Sequence, residues 1–147
     1  MKDLPERQRL HHSAPSWVKE GSLYFVTACT LPRGANQLCR PKVGRSLVES
    51  AVFYHERERW WLSLFLLMPD HFHALMAVPG GQSLSETMRA WKSYQTKQHG
   101  ILWQEGFFDH RLRSDESWTD KANYICLNPV RAGLVETAGD WPYVWPR

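Results

Sequence analysis

A strand, a turn and a second strand in the middle of the chain constrain the fold more than any other segment. Residues 60–67 form an almost unbroken apolar and aromatic run, which is typical of a buried strand. Pro69 and Asp70 then predict a tight turn, because proline fixes φ and aspartate bonds within turns through its own side chain. Residues 71–78 predict a returning strand. The stretch is therefore expected to form a β-hairpin.

Two histidines lie on the returning strand with one residue between them. Because side chains alternate along a strand, His71 and His73 share one face and Phe72 lies on the other. Two imidazoles about 7 Å apart at their Cα atoms can converge on one metal ion. The alternative is a solvated pair or a pair satisfied within the core, and the His-x-His pattern alone does not decide between the two.

The remaining hydrophobic patterns predict a mixed α and β fold. Strand-forming residues occupy positions 23–30, and a short extended segment lies within residues 101–113. Helical spacing covers residues 43–59, a Ser83–Glu86 capping box opens a helix that runs to about His99, and a third helix spans about residues 115–127. This order predicts an α+β, ferredoxin-like split βαβ fold with a central, mainly antiparallel sheet and an extra C-terminal helix.

Length and composition set wider limits. At 147 residues the chain is expected to be one domain, with a basic N-terminal arm over residues 1–20 and a C-terminal tail over residues 129–147. The excess of 18 basic over 15 acidic residues permits a nucleic-acid partner without requiring one. Three cysteines without paired spacing predict neither a disulfide framework nor a zinc knuckle. We expect a cytoplasmic protein without a membrane contact, since no apolar run approaches ~18 residues.

The third predicted helix carries the other half of a candidate site. Tyr124 and Asn128 are four residues apart and share one face of it, and Asn128 is expected where the helix frays before Pro129. If this helix docks on the sheet, His71, His73 and Asn128 surround a divalent ion beside Tyr124.

A tyrosine hydroxyl, with a pKa of about 10, is a poor nucleophile unless its target is activated, which a metal ion can do. The residues therefore predict attack of Tyr124 on a phosphodiester, leaving a 5′-phosphotyrosine and a free 3′-hydroxyl. Magnesium prefers oxygen ligands, whereas imidazoles suit manganese, so we expect Mg²⁺ or Mn²⁺ with manganese the better match.

At these residues the chain resembles a known family. Residues 68–73 (MPDHFH) resemble the histidine–hydrophobic–histidine (HUH) signature of single-strand DNA transposases that use one tyrosine. Residues 124–135 (YICLNPVRAGLV) resemble the tyrosine motif of their relatives, the REP-associated tyrosine transposases. Residues 107–113 and 141–143 are similar to that subgroup too, so the resemblance runs over nearly the whole chain.

The resemblance implies a role for each site residue. His71 and His73 are metal ligands, Asn128 replaces the glutamine of the insertion-sequence relatives, and Tyr124 is the nucleophile. The implied substrate is single-stranded DNA next to a small hairpin from repetitive extragenic palindromes, recognised partly through a short guide tetranucleotide. The implied activity is cleavage and strand transfer by an HUH-type transposase that associates with the nucleoid. Monomer and homodimer both remain open.

Cations elsewhere in the chain are candidates for DNA contacts, because cations supply most of the salt-dependent affinity for nucleic acid. Four lie in the arm, which resembles the region that meets the guide bases, and three lie further along the chain. They are Arg7, Arg9, His11, His12, Lys92, Arg111 and Arg113. The alternatives are a plain basic arm and ordinary surface charges.

Two further residues, Asp70 and Tyr94, and two alternative functions complete the predictions. Asp70 is interpreted as a turn residue rather than as a partner that orients His71. Tyr94 is not the expected nucleophile, because no asparagine follows it by four residues. The rival functions are a catalytically silent DNA-hairpin-binding protein of the same fold and, less favoured, a zinc-dependent hydrolase, for which a Glu-rich or His-x-x-Glu motif near the two histidines is missing.

Overall fold

A computed structural model describes residues 14–18, 22–112 and 115–147, with the backbone alone for residues 115–117. The strands are β1 (Tyr24–Cys29), β2 (Trp61–Met68), β3 (His71–Ala77), β4 (Phe108–Arg111) and β5 (Val144–Trp145). The helices are α1 (Pro41–Glu56), α2 (Leu84–His99), α3 (Asp115–Cys126) and α4 (Asn128–Arg131), followed by a short 3₁₀ turn (Ala138–Asp140).

The strands form one sheet in the order β4-β1-β3-β2-β5, and every neighbouring pair is antiparallel. The first four strands of this order, with α1 and α2 as the two crossovers, make the ferredoxin-like split pattern. The predicted fold class is therefore confirmed. The hairpin of β2 and β3 lies well inside the sheet, so the two histidines are carried by its central strand.

Both faces of the sheet are covered. On one face α1 and α2 pack through residues such as Leu47 and Trp91 against Phe72. On the other face α3 packs through Trp118 and Ile125, together with residues of the tail. The alternation along β3 thus turns Phe72 toward α1 and α2, and turns both histidines toward α3.

The junction after α3 differs from the prediction. The chain does not fray at Asn128, because Leu127 N donates to Asn123 O at 3.0 Å and Asn128 itself begins α4. Pro129 lies in the first turn of α4, where its missing N–H removes no helical hydrogen bond. Asn128 is consequently held in ordered backbone.

The tail adds a strand that the sequence did not predict. In β5, Trp145 and Val144 pair with Phe65 and Leu66 of β2, and Trp141 Nε1 donates to Leu67 O at 2.9 Å. A two-residue strand is too short to produce a hydrophobic alternation. Across the described ranges, no helix has both the length and the apolar character needed to cross a membrane.

One buried hydrogen bond fixes α3 to the sheet. Trp118, which is 2% exposed, donates its Nε1 hydrogen to Ser63 Oγ of β2 at 2.6 Å. Trp91 offers a comparison on the other face, since it is also fully buried and its Nε1 has no hydrogen-bond partner among the described residues.

We expect Trp118→Phe to lower the free energy of unfolding by about 1–3 kcal/mol more than Trp91→Phe. Both changes remove indole volume, but only the first breaks a buried hydrogen bond and leaves the Ser63 hydroxyl unpaired. Urea unfolding followed by circular dichroism measures both values. Equal losses would show that this hydrogen bond does not stabilise the docking of α3.

Candidate active site

The two histidines of β3 lie side by side beneath α3. Their ring centroids are 4.8 Å apart, with the ring planes at 76°. His73 is 5% exposed, whereas the His71 side chain is 17% exposed. The pair therefore has one inner and one outer member.

Both ring nitrogens of His73 are paired. Nε2 lies 2.7 Å from Asn128 Nδ2, and Nδ1 lies 2.8 Å from Thr27 Oγ1, which the register of β1 and β3 places opposite it. An amide nitrogen can only donate, so Nε2 accepts and the ring hydrogen is on Nδ1, which donates to Thr27.

Burial keeps this ring neutral. Burial lowers the pKa of His73 to about 3, and positive charge on His71, when that ring is protonated, and on Arg131 shifts it in the same direction. His73 is therefore an uncharged imidazole whose lone pair is on Nε2, the nitrogen directed at Asn128.

Asp70 orients the second histidine. Its Oδ1 lies 2.8 Å from His71 Nδ1, while Oδ2 accepts from Arg33 Nε at 3.0 Å and from Gly34 N at 2.7 Å. Partial burial alone would raise the pKa of Asp70, but these three hydrogen bonds outweigh it and hold the pKa well below its usual value. A carboxylate only accepts, so Nδ1 of His71 carries a hydrogen, and in the neutral ring Nε2 then carries the lone pair.

The interpretation of Asp70 as a turn residue was therefore incomplete. Its backbone carbonyl does fix the turn, because it accepts from Thr30 N at 2.9 Å. Its side chain also selects the tautomer of His71, which is the arrangement that orients histidines in metal sites.

When both rings are neutral, the two imidazoles thus share one tautomer, with hydrogen on Nδ1 and a lone pair on Nε2. Histidine binds a metal ion through its unprotonated nitrogen, so this pair fits a divalent ion. Asn128 is next to His73, and rotation of its carboxamide about a soft torsion would offer an oxygen as a third donor. In the part of the chain that the structure describes, no three His, Cys, Asp or Glu side chains form a metal-binding group.

Tyr124 lies beside this pair and is half exposed, at 49%. Its ring centroid is 6.0 Å from that of His73 and 6.2 Å from that of Phe25. Phe25 in turn stacks on His73 at 5.4 Å. The structure therefore brings Tyr124, His71, His73 and Asn128 together in one chain.

Three contact residues escaped the sequence interpretation. Phe25 and Thr27 lie two apart on β1 and share a face, which the alternation of the strand indicates, but their position opposite His73 depends on the register. Arg131 lies over the Tyr124 ring, with its guanidinium carbon 4.5 Å from the centroid. No sequence pattern specified that contact.

Lys92, one of the two predicted DNA contacts among the described residues, does not lie at this site. Lys92 is on α2, on the other face of the sheet, where its Nζ donates to Gln104 O and Gly106 O at 3.1 and 2.8 Å. Burial lowers its pKa. Lys92 thus stabilises the loop before β4, and its contact with DNA stays a prediction.

Arg111 is exposed on β4, where it donates to the Tyr24 hydroxyl at 3.3 Å. Tyr94 is half exposed on α2, away from the two histidines. Five of the predicted contacts lie outside the described residues, namely Arg7, Arg9, His11, His12 and Arg113.

Similar sequences point to one family, although no protein-family model matches the chain. A protein from Escherichia coli named REP-associated tyrosine transposase is 26% identical over 131 residues, covering 86% of this chain and 77% of that protein. A Haemophilus influenzae protein, provisionally named a REP-associated tyrosine transposase, is 31% identical over 94 residues. The match covers 52% of this chain and 53% of that protein. The resemblance to the REP-associated tyrosine transposases is confirmed.

Solved structures share the fold of this chain. A REP-associated tyrosine transposase bound to a REP hairpin matches with a TM-score of 0.74 at 23% identity, covering 89% of this chain and 80% of that one. A provisionally assigned transposase from Deinococcus radiodurans matches with a TM-score of 0.55 at 17% identity, covering 76% and 93%. At these identities the two likenesses establish the fold.

Replacing Thr27 with valine is expected to lower the free energy of unfolding by about 1–3 kcal/mol, because the buried Nδ1 of His73 loses its partner while the shape of the strand is kept. Thermal unfolding measures the loss, and ¹⁵N NMR of histidine reports the tautomer. The matched control is Thr137→Val, which removes an exposed hydroxyl. An unchanged stability together with an unchanged tautomer would contradict the assigned role of Thr27.

Proposed function

We propose that this protein is a metal-dependent, HUH-type tyrosine transposase that cleaves single-stranded DNA beside a hairpin and transfers the cut strand. The observation that carries the proposal is the placement of His71 and His73 side by side, each with a partner for Nδ1, with the half-exposed Tyr124 ring 6.0 Å from the His73 ring. The similarity to REP-associated tyrosine transposases supports an enzyme of the tyrosine transposase kind.

His71, His73 and Asn128 would hold the divalent ion, which we propose to be Mg²⁺ or Mn²⁺. The donor set of two imidazole nitrogens and one amide oxygen favours manganese. Such an ion, when bound, polarises a phosphodiester and neutralises charge that develops on it. Asp70 and Thr27 contribute by fixing both rings through their Nδ1 hydrogens.

Tyr124 performs the covalent step in this proposal. Its hydroxyl oxygen forms a bond to phosphorus and gives its proton to solvent, while the bond from phosphorus to the 3′-oxygen breaks. The leaving oxygen takes up a proton and becomes a free 3′-hydroxyl, and the 5′-phosphate stays on the tyrosine. Because the phosphodiester is conserved as a phosphotyrosine, the 3′-hydroxyl of another strand can attack it and release Tyr124.

The DNA substrate is proposed to be a single strand with a palindromic hairpin of the repetitive extragenic type. The protein of similar fold was solved with a REP hairpin, which supports this class of ligand. The basic arm over residues 1–20, together with Lys92, Arg111 and Arg113, stays proposed as the phosphate-contacting set. The described site draws on one chain only, so a monomer is sufficient for its construction, and a homodimer remains compatible with it.

The decisive experiment compares Tyr124→Phe with the wild-type protein on labelled single-stranded hairpin DNA in the presence of Mn²⁺. Wild type is expected to give a nick and a covalent protein–DNA band on a denaturing gel, and the variant neither, because phenylalanine has no hydroxyl to attack phosphorus. Hairpin affinity should change little.

Tyr94→Phe is the matched control, since Tyr94 is as exposed as Tyr124 but lies on α2. It should retain the adduct. Tight binding by wild type without any adduct, across several palindromes and both metal ions, would instead establish the silent hairpin-binding protein.

The role of Asp70 is tested separately by Mn²⁺ titration of the DNA-free protein. Asp70→Asn is expected to weaken Mn²⁺ binding roughly 10- to 100-fold, because an amide has one acceptor oxygen for three donors and orients His71 poorly. Electron paramagnetic resonance of free Mn²⁺ measures the affinity. Asp109→Asn on the exposed strand β4 is the charge-matched control, and an equal affinity of the two variants would remove Asp70 from the site.

A further inference from the structure

Arg131 makes two contacts with Tyr124. Its guanidinium carbon lies 4.5 Å from the centroid of the Tyr124 ring, and its Nη2 donates to the backbone carbonyl of the same residue. We infer that Arg131 is a positioning residue that holds the tyrosine nucleophile for attack. The inference rests on the proposed function, because it concerns the same covalent step.

An exposed tyrosine near the end of a helix needs such a restraint. With 49% of the residue exposed, few neighbours limit its side-chain torsions. Phe25 meets the ring edge-on at 87°, and the guanidinium lies over it. Together they favour one rotamer of a side chain that stays half exposed. A misplacement of about 1 Å in a reacting group can cost roughly 100-fold in rate.

The short helix α4 makes the double contact possible. Leu127, which lies between α3 and α4, keeps right-handed helical dihedral angles, and Arg131, seven residues after Tyr124, returns to the side of the chain on which Tyr124 lies. One residue of the motif, Asn128, is thereby directed at His73, while another, Arg131, is directed at Tyr124.

Arginine suits this role better than lysine. A planar guanidinium can lie over an aromatic ring and still direct an N–H to a carbonyl oxygen, whereas an ammonium group is a compact point charge. A second pair in the molecule has the ring contact at a distance from the site, since Arg59 lies 4.6 Å from the centroid of Tyr54. It provides a matched control for the loss of one surface charge.

The test separates affinity from rate. Arg131→Gln, Arg131→Lys and the control Arg59→Gln are compared with wild type for hairpin affinity, and for the single-turnover rate constant of adduct formation at saturating DNA and Mn²⁺. We expect Arg131→Gln to form the adduct roughly 10- to 100-fold more slowly, with the same hairpin affinity as Arg59→Gln. Arg131→Lys should be intermediate.

A second readout needs neither DNA nor metal. The chain has five tyrosines, so ring-labelled ¹³C-tyrosine gives a small set of NMR signals, and Tyr124→Phe identifies the one from Tyr124. This signal should shift in Arg131→Gln and stay unchanged in Arg59→Gln.

The outcomes distinguish the inference from the function on which it rests. If wild type forms the adduct and Arg131→Gln does so at the rate of Arg59→Gln, the inference is overturned and the proposed function stands. A slower rate explained entirely by weaker hairpin binding also overturns it. Failure of wild type to form any adduct overturns the proposed function and the inference with it.

Discussion

The pairing of β1 with β3 is the constraint on which the site depends. Its register places Thr27 opposite His73, so the buried imidazole finds a partner for Nδ1 on the neighbouring strand. A shift of one residue would move every side chain of β1 to the other face of the sheet. Phe25 would then leave His73 and Tyr124, and α3 would lose part of the surface on which it packs.

The side chains of the candidate site hold one another in place within the chain itself. Asp70 pairs with Nδ1 of His71, and Thr27 pairs with Nδ1 of His73. Asn128 lies against Nε2 of His73. Preorganised groups need little rearrangement at the moment of reaction. The same arrangement carries a cost, because the hydrogen bond from Asn128 has to break before His73 uses that lone pair for anything else. In the proposed metal site, affinity for a cation would therefore depend partly on how readily the Asn128 carboxamide rotates.

Local pattern was enough to predict the hairpin, the shared face of His71 and His73, the capped start of α2 and the ferredoxin-like order. These features depend on alternation, on turn chemistry and on helix caps, all of which are encoded within a few residues. The pattern failed where neighbours distant in sequence decide the outcome. Three features depend on tertiary packing in this way. They are the partners of His73, the pairing of β5 with β2, and the hydrogen bonds from Lys92 to the Gln104 and Gly106 carbonyls. Asn128 was misjudged for a different reason, since a proline two positions into a helix does not end it.

The pairing of β5 with β2 also affects how readily the protein aggregates. Strand β2 is buried along its whole length and consists mainly of large apolar residues. Without a neighbour beyond it, part of its row of backbone hydrogen-bonding groups would offer a template to the same strand of another molecule. Residues 144–145 occupy that position, and the opposite edge of the sheet is the short, charged strand β4. Val144 and Trp145 of the tail thus oppose edge-to-edge aggregation by pairing with β2.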